Sequence, residues 1–222
     1  LYYWSPDFGG PETVLEVELP AGADPAQLAL AVPVLSHFFI APAQAARQAF
    51  AKALDAGSCH ADVACRPDLD AQSRSVARLL FVDRGNSYQC SGTLLNDARS
   101  STTPYLLSAQ HCIGSQAAAS TVTTDWFYRA AACNSAAPSP AAQRVYGGAT
   151  LLYASADTDT AFLRMNAPAP AGTVFAGSYL GGVAAGTPVL GLPHPQGGVQ
   201  KASEGRVQQF VNCPFELCQV VD

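Results

Sequence analysis

Lysine, methionine and tryptophan are scarce in this chain: two lysines (Lys52 and Lys201), one methionine and two tryptophans in 222 residues. Acidic side chains outnumber basic ones and the formal net charge is -5. That balance excludes the basic face on which nucleic-acid binding depends. Charged residues make up only 13% of the chain against 49% hydrophobic, which excludes a self-repelling disordered polymer and points to a packed core. No apolar run reaches the roughly 18–20 residues that span a bilayer. Val32 to Ile40 comes nearest, and Pro33, Ser36 and His37 interrupt it. The amino end carries no initiator Met, no basic segment and no apolar h-region. No signal peptide is therefore visible, and Leu1 is expected to follow lost upstream sequence.

What is present favours a loop-rich β protein. Low charge combines with 18 glycines and 16 prolines, a composition that suits short strands and turns better than a helical bundle. The length allows one large domain or two small ones. Seven cysteines (Cys59, Cys65, Cys90, Cys112, Cys133, Cys213 and Cys218) are many for a reduced compartment. They read as disulfide staples formed in an oxidising one, with one cysteine left over.

Residues 1–57 contain no cysteine and differ in texture. Val14-Leu15-Glu16-Val17-Glu18-Leu19 alternates apolar and acidic residues, predicting a strand with one solvated face. Pro20 to Pro25 predicts a turn. Pro42 to Leu54, Ala-rich with Phe50 and Leu54 four apart, predicts a short amphipathic helix. From Gly57 onward short strand-like runs alternate with Gly, Pro, Ser and Asn clusters. The clearest predicted strands are Val76–Val82, Cys90–Leu95, Thr103–Ser108, Ser120–Tyr128, Ala149–Tyr153 and Thr160–Met165, a pattern of antiparallel barrel or sandwich. Ser135–Ala142 reads as a surface loop and Asn166–Gly172 as a connector. Beyond it, Val189–Leu192, Gly205–Val211 and Gln219–Val221 predict the start of a second β unit.

Two residues carry the chemistry. His111 stands at the end of an apolar strand, in Ser108-Ala109-Gln110-His111-Cys112, with a cysteine beside it that can hold it still. A histidine so fixed suits a general base. Asp159 heads the alternating strand Thr160–Met165, roughly fifty residues later, where its carboxylate can meet a histidine ring nitrogen in the same cleft. The bland alternatives are a surface histidine and a turn-capping aspartate. Cys59, His60, Cys65, His111, Cys112 and His194 include potential zinc ligands. Their spacing, however, matches neither C-x2-C nor H-E-x-x-H, so no metal and no organic cofactor is expected. His194, between Pro193 and Pro195, reads as part of a rigid turn; His37 and His60 carry no functional case.

Together these boxes resemble the chymotrypsin-like serine proteases, and within them the bacterial lysyl-endopeptidase branch. S-A-Q-H-C at 108–112 resembles that family's histidine box, departing from it at Gln110, and D-T-A-F-L-R-M at 159–165 resembles its aspartate strand. Gly57-Ser58-Cys59 with Cys65 looks like the branch's mature amino terminus. Asn96 after G-T-L-L, Trp126-Phe127-Tyr128 with Cys133, and Gly191-Leu192-Pro193-His194-Pro195 are similar too. The resemblance covers roughly 57–222, with weaker agreement before it.

The resemblance implies an all-β, chymotrypsin-like double antiparallel barrel. Residues 1–56 would be the end of a β-rich propeptide with a helical linker, 57–168 the first barrel, and 169–222 the start of an incomplete second one. It implies a secreted bacterial serine endopeptidase acting on protein or peptide substrates and partnered by its own propeptide. His111 would be the general base and Asp159 its orienting carboxylate. No G-x-S-G follows to supply the serine, so the nucleophile is expected downstream of Asp222. The resemblance further implies Cys65 paired with Cys133 and Cys90 with Cys112, and Cys59 orphaned from a downstream partner. Cys213 and Cys218 could close a small local loop. Lys52-Ala53 stands where the branch cleaves its propeptide after lysine. The rival expectation is a catalytically inactive protease-like binding module.

Overall fold

Short antiparallel strands dominate the computed structural model, which describes residue 5 and residues 12–32, 60–135 and 137–210. Ten strands occur there: β1 (Ala61–Asp62), β2 (Val76–Asp83), β3 (Asn86–Leu95), β4 (Tyr105–Ser108), β5 (Thr123–Trp126), β6 (Gln143–Val145), β7 (Ala149–Ser155), β8 (Thr160–Met165), β9 (Pro188–Gly191) and β10 (Lys201–Arg206). Two short helices, α1 (Asp70–Ser73) and α2 (Gln116–Ser120), lie between them.

Seven strands form one antiparallel sheet in the order β6-β5-β2-β3-β4-β8-β7, and β1-β10-β9 form a second. The two edges of the larger sheet, β6 and β7, are not hydrogen-bonded to each other among the described residues. The β2–β3 hairpin turns on Arg84 and Gly85, both at positive φ (46° and 82°). This is the two-residue geometry that matches the twist of the flanking strands. The sequence pattern began β3 at Cys90, but the pairing reaches back to Asn86 opposite Asp83.

One face of the large sheet carries the main core. Leu79, Phe81, Leu94, Leu106, Ile113, Trp126 and Leu163 are all nearly inaccessible. The other face of β2 is also covered, which is why its whole apolar run is buried. Arg78 is the exception in that run. It is 1% exposed, donates to Asp125 Oδ2 from Nε (3.0 Å) and Nη2 (2.5 Å), and donates to the Gly197 carbonyl. Its guanidinium also lies 3.7 Å over the Tyr128 ring, and Arg144 engages the second oxygen of Asp125 at 2.7 Å. Two cations on one carboxylate hold the Asp125 carboxyl below its ordinary range although burial pushes the other way.

Several expectations are corrected. Val14–Leu19 forms no strand; Val14 is 92% and Leu15 61% exposed, because alternation alone stabilises nothing without a neighbouring strand. The strand expected over Ser120–Tyr128 is cut to Thr123–Trp126: α2, capped by the Ser115 hydroxyl, runs to Ser120, and Phe127 turns to φ 53°. The strand expected over Gly205–Val211 is instead Lys201–Arg206, drawn forward by pairing with β9 and β1. β4 starts at Tyr105 rather than Thr103; Pro104, just before it, has no N–H to give a ladder. The predicted helix over 42–54 and strand over 219–221 lie outside the described residues.

Candidate active site

β4 pairs with β8 so that Ser108 stands opposite Ala161. Continuing both strands past that pair brings the two chain segments carrying His111 and Asp159 against each other. The Gln110 N–H donates to the Asp159 carbonyl at 3.2 Å, and the His111 N–H donates to Asp159 Oδ1 at 2.9 Å. His111 Nδ1 lies 2.6 Å from Asp159 Oδ2. Both carboxylate oxygens are thus engaged by one residue, through its backbone and its ring.

The backbone on each side is shaped for this. After β4 the chain turns through Ala109–Ile113, closed by the Cys112 and Ile113 N–H groups on the Ala109 carbonyl. Ile113 then plugs the core at 0% exposure. Asp159 closes the Ala156–Asp159 turn and sits at φ 46°, a left-handed conformation that aspartate tolerates better than most residues. Partial burial would raise the Asp159 carboxyl, yet the His111 and Gln110 hydrogen bonds outweigh it and hold it below its ordinary range. An ionised carboxylate on Nδ1 selects the tautomer with its proton there, leaving Nε2 as the basic nitrogen. The His111 side chain is 70% exposed, so that nitrogen can be reached from solvent.

One of two disulfides among the described residues braces the same region. Cys90 on β3 is bonded to Cys112 beside the histidine, and Cys65 is bonded to Cys133 in the loop after β5. Cys59, Cys213, Cys218, Lys52 and Ala53 lie outside the described residues. His194 is buried in its turn, with Nδ1 3.0 Å from the Gly198 carbonyl and its N–H donating to Ser91 Oγ at 2.9 Å. Sequence reasoning missed the Arg78–Asp125–Arg144 cluster. Its one visible signal was an arginine inside the otherwise apolar run Val76–Val82.

A profile of the lysyl endopeptidase C-terminal domain matches residues 53–219, and one of the lysyl endopeptidase N-terminal domain matches residues 1–39. The chain belongs to the lysyl endopeptidase family. A curated relative, lysyl endopeptidase of Pseudomonas aeruginosa, is 34% identical over 215 residues, covering 92% of this chain and 46% of the relative. The chain therefore spans about half the length of that family member. Among solved structures, an inactive form of Rv3671c from M. tuberculosis H37Rv is similar with a TM-score of 0.44 at 15% identity, covering 67% of this chain and 57% of the other. Deg5 gives 0.43 at 14% identity, covering 65% and 62%. The protease Anisep from Arthrobacter nicotinovorans gives 0.38 at 20%, covering 60% and 64%. Among the described residues of this lysyl endopeptidase family member, no helix is long and apolar enough to cross a membrane.

Proposed function

We propose that this chain carries the base and the orienting carboxylate of a secreted bacterial serine endopeptidase that cuts protein or peptide substrates after lysine. The observation that carries the reading is the doubly bonded pair: His111 N–H on Asp159 Oδ1 and His111 Nδ1 on Asp159 Oδ2. In the whole enzyme a serine outside residues 1–222 attacks the scissile carbonyl while His111 Nε2 takes its proton. The imidazolium, stabilised by Asp159, returns that proton to the leaving amine. Residues 1–56 act as the end of the propeptide, 57–168 as the first barrel unit, and 169–222 as the start of the second.

Lysine usage supports self-processing at one bond. Lys201, one of the two lysines, lies in β10 with its side chain only 13% exposed and Nζ 3.7 Å from Asp62. The other lysine is Lys52, and Lys52-Ala53 is the bond to which the proposal assigns self-processing. N-terminal sequencing of the secreted protein should find Ala53 first; a start at Gly57 removes this part of the proposal.

The decisive experiment is kinetic, on the full-length protein. Asp159→Asn should lower kcat about 10⁴-fold with KM little changed, because the ring loses its tautomer but substrate binding is untouched. His111→Ala should lose at least as much. Unchanged turnover in either variant overturns the reading. A full-length protein with no turnover and no labelling by a serine-directed phosphonate would favour the binding module.

A further inference from the structure

One further set of ligand-type atoms converges beside the imidazole–carboxylate pair. The Cys90 and Cys112 sulfurs and a ring nitrogen of His111 all lie within 4.8 Å of one another. The two sulfurs are joined there as a disulfide. His111 is exposed, and both cysteines are half-buried against the main core. Each member has a tether independent of the S–S bond. Cys90 is held in β3 opposite Leu79, and Cys112 sits in the turn closed on the Ala109 carbonyl. His111 is held by Asp159 through backbone and ring.

We propose that reduction of the Cys90–Cys112 disulfide converts Cys90, Cys112 and His111 into a three-ligand site for a zinc-like divalent cation. Two thiolates and an imidazole are the donor set such ions prefer. Tetrahedral coordination places ligand atoms about 3.6–3.8 Å apart, so on reduction the sulfurs must part from bonding distance and the imidazole must close on them. A thiol reductant supplies two electrons and two protons: the S–S bond breaks, two thiols form, and the reductant ends as its own disulfide. The cation then displaces one proton from each thiol, while the neutral imidazole contributes a lone pair. Water fills the fourth position.

Ligation through Nε2 leaves Nδ1 on Asp159, the outer support that metal-bound histidines commonly keep. Ligation through Nδ1 breaks that bond. In both cases His111 no longer serves proton transfer, so the reduced, metal-loaded form is blocked. The blocking rests on the endopeptidase reading; the metal site itself does not.

Cobalt(II) is a direct probe, because thiolate ligation gives a near-ultraviolet charge-transfer band and tetrahedral geometry gives strong visible bands. The full chain carrying Cys59→Ser, Cys213→Ser and Cys218→Ser is titrated before and after reduction with a phosphine, with far-ultraviolet circular dichroism reporting the fold. The expected result is binding only after reduction, lost in Cys90→Ser/Cys112→Ser and kept in Cys65→Ser/Cys133→Ser. His111→Ala, which retains both thiols, should weaken it by more than about tenfold, since even outer partners of metal ligands matter that much. Binding unchanged in His111→Ala, surviving in Cys90→Ser/Cys112→Ser, or present before reduction overturns the proposal. Loss of the folded spectrum on reduction overturns it as well. Failure of the kinetic tests on Asp159 and His111, with cobalt binding intact, would remove the endopeptidase reading and leave the metal site standing.

Discussion

His111 and His194 share a chain and a side chain but not an environment. His111 is exposed and faces a carboxylate. His194 is fully buried, and burial lowers its pKa from the ordinary 6.5 to about 4; the Gly198 carbonyl opposes this, with nearby Arg78 and Asp125 pulling in opposite directions. The depressed folded value means that the unfolded chain takes up a proton first as pH falls. The stability due to neutral His194 is therefore complete above about 6.5 and lost as pH falls towards about 4. Its size is roughly 3 kcal/mol across that window. Urea unfolding at pH 7, 6 and 5 should show wild type weakening steadily and His194→Gln weakening less; parallel slopes would remove the argument. At this scale the sequence was informative about identity and weak about environment. The strand-end position of His111 and the strand-head position of Asp159 were legible from periodicity. The burial of His194 was not, because beyond the local Gly198 turn it takes Tyr128 and Ser91, which are distant in sequence.

Among the elements, β2 ties the sheet to the segment that follows it. Arg78 links β2 to Asp125 on β5 and to the Gly197 carbonyl. Arg78→Ala would leave a buried carboxylate with Arg144 as its remaining cation and open a void beneath Tyr128. The expected cost is about 3–5 kcal/mol, read as a fall in the denaturant midpoint at unchanged m-value. A loss below about 1 kcal/mol would mean that Arg144 alone satisfies Asp125. Gly148, between β6 and β7, packs against the backbone at the end of α2. It has φ +70°, and a Cβ there would lie 2.3 Å from the Ser120 carbonyl oxygen. Because that contact is with backbone, Gly148→Ala should destabilise by more than about 2 kcal/mol; a neutral result in thermal unfolding would show that α2 can shift. The strand centres were legible from alternation and β-branched content. Their ends followed neighbours and caps: the Ser115 cap gives α2 the residues up to Ser120, and pairing with β1 pulls β10 forward to Lys201. The Arg84-Gly85 turn was within reach of sequence reasoning, since a glycine between two strands in register allows the left-handed pair of residues.

At the scale of the whole molecule, the two nested disulfides among the described residues restrict the unfolded chain across separations of 68 and 22 residues. Loop-closure entropy makes the Cys65–Cys133 bond worth about 4 kcal/mol and the Cys90–Cys112 bond about 3 kcal/mol. Cys65→Ser/Cys133→Ser should accordingly cost more stability than Cys90→Ser/Cys112→Ser in matched denaturant titrations, and the reverse order would mean that native packing rather than chain entropy sets their value. Composition and cysteine usage pointed to an all-β protein, because residue type and spacing record which faces are buried; the resemblance of the short boxes, in order, pointed to the lysyl endopeptidase family. Tertiary structure decided the rest. It set the register that places Gln110 and His111 against Asp159, the burial of Arg78 and His194, and the meeting of Cys90, His111 and Cys112. These depend on contacts between residues tens of positions apart, whose free energy comes from strand pairing and desolvation; the arginine inside Val76–Val82 is the one local trace they leave.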